Sequence, residues 1–111
     1  MSEEQARRVG LNESIFRQVN EQIESLNREF GEELRMMTAI CECANGDCTE
    51  RLQIPVSDYE QVRADARRYV IVPGHELPEF ESIVERHEGY HIVQKHEGAA
   101  AELARETDPR S

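Results

Sequence analysis

All three cysteines of the chain fall in the eight residues Cys41-Glu42-Cys43-Ala44-Asn45-Gly46-Asp47-Cys48, and no other feature restricts the fold as tightly. Three thiols cannot all pair within one chain, and residues two apart, such as Cys41 and Cys43, close a strained disulfide ring. A secreted disulfide framework is therefore disfavoured. Metal ligation accounts for the odd number directly. Soft thiolates crowded on a turn bind Zn²⁺ at about 2.3 Å, and a structural site takes four donors in a tetrahedron, so one more ligand is needed. The chain offers four histidines. His75 is the expected fourth ligand, because Pro73-Gly74 breaks an apolar run just before it and lets a loop bring the imidazole against the cysteine turn. His87 and His91, embedded in an expected hairpin, are the alternatives to it, and Asp47 or a thiolate of a second chain could also complete the shell. A redox or nucleophilic reading of the thiols is weaker, since neither Cys-x-x-Cys nor a Ser/His/Asp order is present. An iron–sulfur cluster on the same four residues is a lesser alternative.

The need for a staple follows from the composition. One domain is all that 111 residues supply, and with 38% hydrophobic and 32% charged residues and no Trp the chain is short of core material. Thirteen Lys and Arg against 23 Asp and Glu give a net charge of -10, and Lys95 is the sole lysine. Phosphates would be repelled unless the basic residues were concentrated on one face, and Arg7-Arg8 and Arg67-Arg68 are short pairs flanked by acids. No apolar run is long enough to span a membrane, and the amino terminus lacks the order of a signal peptide, so a cytoplasmic protein is expected.

The expected fold class is α+β: a long N-terminal amphipathic helix, then a small zinc-stapled antiparallel sheet with one short helix. Residues 1–10 read as a flexible arm. Over 11–35, Ile15, Val19, Ile23, Leu26, Phe30 and Leu34 line one stripe of a helix, with Asn12 as N-cap, Leu11 and Phe16 as a hydrophobic staple and Gly31 as a weak point. Residues 36–96 form the zinc-binding α+β domain. It has strands at Met36 to Cys41 and Thr49 to Ile54 around the Asn45-Gly46 turn, and a helix with a Ser57/Glu60 capping box. A buried strand Tyr69 to Val72 follows, and then a hairpin of Ser82 to His87 and Tyr90 to Lys95. Helical spacing at Phe80, Ile83, Val84 and His87 competes with the first of those strands. Residues 97–111 read as a weakly helical to disordered tail without an apolar stripe.

Four segments taken together resemble a family of short actinobacterial proteins. They are Cys41-Glu42-Cys43 through Asp47-Cys48-Thr49-Glu50-Arg51, then Tyr59-Glu60-Gln61-Val62-Arg63, then Val72-Pro73-Gly74-His75-Glu76, then Val84-Glu85-Arg86-His87. The family's order is a Cys-x-Cys-x4-Cys knuckle, a helix and a Pro-Gly-His-Glu segment, and the stretch Asn12 to Asn27 is similar to its leading helix. The resemblance spans residues 11 to 95. It implies that Cys41, Cys43, Cys48 and His75 belong to one unit in a cytoplasmic bacterial protein, and it implies no activity.

The function expected from these observations is that of a non-enzymatic small zinc-binding protein, the metal structural, acting as a protein-interaction or regulatory module. The partner is another protein or a second copy, met through Ile15, Val19, Ile23, Leu26 and Phe30 as a short coiled coil, with Glu21, Glu24 and Arg28 setting register. Docking of the same stripe on the chain's own domain is the competing use of it. An enzyme with an open zinc site would need a general base such as Glu76 or Glu42. A nucleic-acid-binding zinc ribbon is opposed by the charge.

Overall fold

The structure, a computed structural model, describes residues 3–30 and 36–110, the side chains at 3, 6 and 27–30 excepted. Leu34 and Gly31, and the side chains of Arg28 and Phe30, lie outside the described residues. The elements run α1 (Glu3–Phe30), β1 (Met36–Ile40), β2 (Arg51–Pro55), α2 (Val56–Arg63), β3 (Arg68–Ile71), β4 (Glu81–His87), β5 (Tyr90–Lys95) and α3 (Ala99–Glu106). The fold is α+β, as expected, with two antiparallel sheets in place of one.

The first sheet pairs β1 with β2, from Met36 opposite Pro55 to Ile40 opposite Arg51. Both strands bury alternate residues, Met37 and Ala39 on one, Leu52 and Ile54 on the other, which is the period-two signature of a sheet covered on one face. The second sheet has the order β3-β5-β4, antiparallel throughout. The hairpin β4–β5 prevails over the helical alternative, and a register shift between Ile83 and Glu85 leaves Val84 exposed. One apolar cluster joins the two sheets through Met37, Ile54, Tyr59, Val70 and Ile92, and a second gathers Cys41, Cys43, Tyr69, Ile71 and Val93.

Strand β2 runs straight into α2, so the expected capping box does not form. The helix starts at Val56 after Pro55, without a side-chain cap. The carboxylate of Glu60 accepts instead from Arg110 at 2.6 and 3.2 Å, and Asp58 accepts from the hydroxyl of Tyr90 at 2.9 Å.

Helix α1 departs most from expectation. It starts at Glu3, so residues 3–10 continue the helix in place of an arm, and Asn12 lies in its interior and caps nothing. Good helix formers fill residues 3–8. At Gly10 a Cβ would stand 2.8 Å from the side chain of Leu103, so the missing side chain is what lets α3 approach. The tail is correspondingly ordered, with Ala100, Ala101, Leu103 and Ala104 of α3 buried.

The face of α1 that docks is polar: Glu13, Ser14, Arg17, Asn20 and Glu24 are buried. Arg17 donates to the carbonyls of Ala66 at 2.6 Å and Ala104 at 2.8 Å, and lies over the Tyr69 ring at 4.6 Å. The ammonium of Lys95 sits between the carboxylates of Glu13 and Glu81, all three fully buried. Burial pushes the Glu13 carboxyl well up, against the pull of Lys95. Among the described side chains of the expected stripe, Ile23 packs on the core, while Ile15 is 59% exposed, Leu26 55% and Val19 39%; Leu11, just before it, is 49% exposed. Docking of the whole stripe on the domain is thus overturned. The acids expected to set register are turned inward: Glu21 meets Arg63 and Arg110, and Glu24 approaches Arg110.

Candidate metal centre

The loop between β1 and β2 carries the three thiols. Strand pairing persists one step past β1, the amide of Cys41 donating to the carbonyl of Glu50 at 3.0 Å, and the chain then turns at Asn45. The Asn45 side chain accepts from the amide of Asp47 at 3.0 Å and its carbonyl from the amide of Cys48 at 3.0 Å, a local turn that folds Cys48 back toward Cys41 and Cys43. The fourth residue comes from the loop after β3. Gly74 adopts φ +93, a conformation that favours glycine, and the amide of His75 closes the turn on the carbonyl of Val72 at 3.1 Å. The imidazole of His75 is thereby delivered to the thiols.

The sulfurs of Cys41, Cys43 and Cys48 and a ring nitrogen of His75 all lie within 4.8 Å of one another and could hold a metal ion. His75 Nδ1 stands 3.4 Å from the Cys41 sulfur and 3.7 Å from that of Cys48. A tetrahedron with arms of about 2.3 Å has edges of about 3.8 Å, close to the two separations of His75 from the Cys41 and Cys48 sulfurs. The other ring nitrogen, Nε2, is 2.7 Å from Glu50. A carboxylate can only accept, so this contact calls for a proton on Nε2, and in the neutral ring that would leave the Nδ1 lone pair facing the thiols, the carboxylate–histidine arrangement of many zinc sites. None of the cysteines is in a disulfide.

Crowding divides the thiols. Cys43 is lowered to about 5, first by the hydrogen bond from Cys41, against the effect of burial. Cys41 is pushed up by that same contact and by burial, and Cys48 is pushed up by burial. The amide of Val72 donates to the Cys41 sulfur at 3.2 Å. A metal ion would release the shared protons by taking all three sulfurs as thiolates.

Glu42, between the first two cysteines, points away from the centre and is fully buried. One oxygen accepts from the amide of Val70 at 3.0 Å; the other accepts from Asn20 at 2.7 Å and from the hydroxyl of Tyr59 at 3.2 Å. Burial raises its carboxyl against these donors. With both oxygens engaged, Glu42 is a clasp joining the loop to α1, α2 and β3, which removes it as a candidate base. Helix α1 adds two more clasps. Asn20 donates to the Ile40 carbonyl and accepts from the Ile40 amide, both at 2.8 Å, and Asn12 donates to the Ala44 carbonyl at 2.9 Å.

The cluster among the described residues contains none of the alternative ligands His87, His91 and Asp47, nor Glu76, the other expected base. His87 is exposed, 2.8 Å from Glu85 and stacked on Tyr90, and His96 bonds to Ser82. Sequence reasoning missed Glu50, Asn12 and Asn20. Glu50 was reachable, since a hairpin closed around the turn puts it opposite Cys41; the two asparagines carry no such signal. A hollow of about 210 Å³ beside the centre is lined by Cys43, Ala44, Asn45, His75 and Leu77.

No family model, no curated protein and no solved structure matches the chain, so the actinobacterial resemblance has no support from them. Among the described residues no helix is long and apolar enough to cross a membrane.

Proposed function

We propose that Cys41, Cys43, Cys48 and His75 bind one Zn²⁺ per chain, that the metal is structural, and that the protein is a non-enzymatic interaction module. The observation that carries this reading is the combination at His75: Nδ1 faces the thiols while Nε2 is already held by Glu50. Three thiolates and one imidazole favour zinc among the common divalent ions, and four protein donors leave no position for a reacting water. The loss of Glu42 as a base weighs in the same direction. The net charge of -10 weighs against a nucleic-acid ribbon. Three free thiols suit a reducing compartment such as the cytoplasm.

Elemental analysis of protein purified without added metal tests the assignment. One zinc per chain is expected, lost in His75→Ala and kept in His87→Ala. A ratio near zero contradicts the site, and full occupancy in His75→Ala contradicts the ligand set. The hollow beside Cys43 and His75 favours an open, catalytic centre. Cobalt substitution separates the two: a four-coordinate spectrum that ignores added azide supports the closed site, and a spectrum that shifts with it supports the open one.

A further inference from the structure

The outward face of α1 is unlike the rest of this surface. In a chain of which 32% is charged, every exposed residue from position 11 to position 26 is uncharged. Leu11, Ile15, Val19 and Leu26 are the apolar ones, and Gln18, Gln22 and Ser25 complete the set. The charged residues of that stretch, Glu13, Arg17, Glu21 and Glu24, are engaged on the domain side. The helix thus spends its polar residues on intramolecular contacts and keeps an apolar strip in water, the reverse of an ordinary surface helix.

We propose that this strip is a homodimer interface in which α1 packs antiparallel against α1 of a second copy. The inference rests on the interaction-module reading above and not on the identity of the metal. Two observations select a second copy as the occupant. The first is electrostatic. Two chains of net charge -10 repel over most approaches, and this neutral strip is where they can meet without opposing like charges. The second is the near-symmetry of the spacing. Reversing the helix about its own strip sets Leu11 on Leu26 of the second copy, Ile15 on Gln22, and Gln18 on Val19, so a two-fold axis maps apolar groups onto apolar groups or amides. A hollow of about 460 Å³ framed by Glu4, Arg7, Arg8 and Leu11 continues the strip at one end, where Leu26 of the second copy would seat.

The strip is short. Sixteen helical residues cover about 24 Å, one helix wide, which places the buried area at the low end of specific interfaces.

Sedimentation velocity of the zinc-loaded full chain, from about 1 μM to several hundred μM, reads the equilibrium directly. A reversible monomer–dimer equilibrium is expected. Ile15→Asp should weaken it by about tenfold or more, with zinc content and far-ultraviolet spectrum unchanged. Gln22→Asp on the same face serves if Ile15→Asp loses its zinc. Orientation is read from a charge swap: Leu11→Arg and Leu26→Glu should each weaken the dimer, and the double variant should recover it, since only antiparallel pairing sets each arginine on the other copy's glutamate. A zinc-containing chain that stays monomeric throughout overturns the interface and leaves the metal reading standing. A dimer indifferent to both aspartate variants moves the contact elsewhere, and a double variant no better than its parents overturns the antiparallel register.

Discussion

The cysteine loop and the Lys95 centre are both buried polar regions on which α1 rests, and they are satisfied in different ways. Around the loop, every polar group of Glu42 and Asn20 meets a hydrogen-bonding partner, most of them backbone groups, and the thiols converge on a point that a metal ion could fill. Around Lys95 there are two carboxylates for one ammonium, with burial pushing Glu13 upward and Arg17 and Tyr69 alongside. The first arrangement is a network of directional bonds spread over several partners. The second depends on a single cation, and removing it leaves buried charge without compensation. A helix held at two places by unlike chemistry should come loose from them under different treatments.

The largest effect is expected from metal removal. A structural zinc of this kind contributes on the order of 10 kcal/mol. Amide exchange during chelation at neutral pH should show the amides of β1, β2 and the cysteine loop losing protection first, with those of the β3-β5-β4 sheet and the Arg17 and Lys95 contacts persisting. Simultaneous loss of both would show that the metal alone holds the assembly.

Next comes Lys95→Ala, expected to destabilise by about 3–5 kcal/mol because Glu13 and Glu81 remain buried without a counter-ion. Calorimetry should find most of that loss recovered when Glu13→Gln and Glu81→Gln are added. Zinc content at low temperature should not change, and a Lys95→Ala chain that has lost its zinc would join two regions held here to be separate.

Glu50→Ala probes the loop more gently. The Glu50 side chain is exposed and meets the centre through His75 alone among the contacts described, so zinc affinity should fall by about 10- to 100-fold in a chelator competition with little change in metal-loaded melting. Glutamine should restore part of it.

The smallest effect is pH-dependent and lies at a third contact of α1, where Arg63 meets Glu21 and Asp108. Burial pushes the Asp108 carboxyl up, but the Arg110 amide and the charge of Arg63 hold it on balance below its ordinary 3.8. A depressed folded value means that its stabilisation is present above pH 3.8 and is lost as the pH falls through that lower value. Asp108→Asn should therefore cost on the order of 1 kcal/mol at pH 6 and progressively less below pH 4. An equal cost at both pH values would remove the charge from the explanation.

The cysteine loop was legible because its signals are local: clustered thiols, an Asn-Gly turn between two extended runs, and a Pro-Gly break ahead of His75. The strands of the second sheet were legible for the same reason, through β-branched runs and Pro or Gly punctuation. The docking face of α1 was not. Periodicity identifies which residues share a face, and the usual inference is that the apolar face is the buried one. Here Asn12, Arg17 and Asn20 reach the carbonyls of Ala44, Ala104 and Ile40, partners fixed by tertiary structure and invisible in the spacing of the helix itself. The order of residues 99–106 was hidden similarly, since small alanines carry no apolar stripe until Gly10 allows a helix close enough for them to pack.

The central claim is a single metal held by three thiolates and one imidazole, and X-ray absorption at the zinc edge of the protein as purified tests it most directly. The expected shell is three sulfurs at about 2.3 Å and one nitrogen at about 2.0–2.1 Å, with the imidazole scattering lost in His75→Ala. A shell of four sulfurs, a shell dominated by oxygen, or a protein that carries no zinc would contradict it.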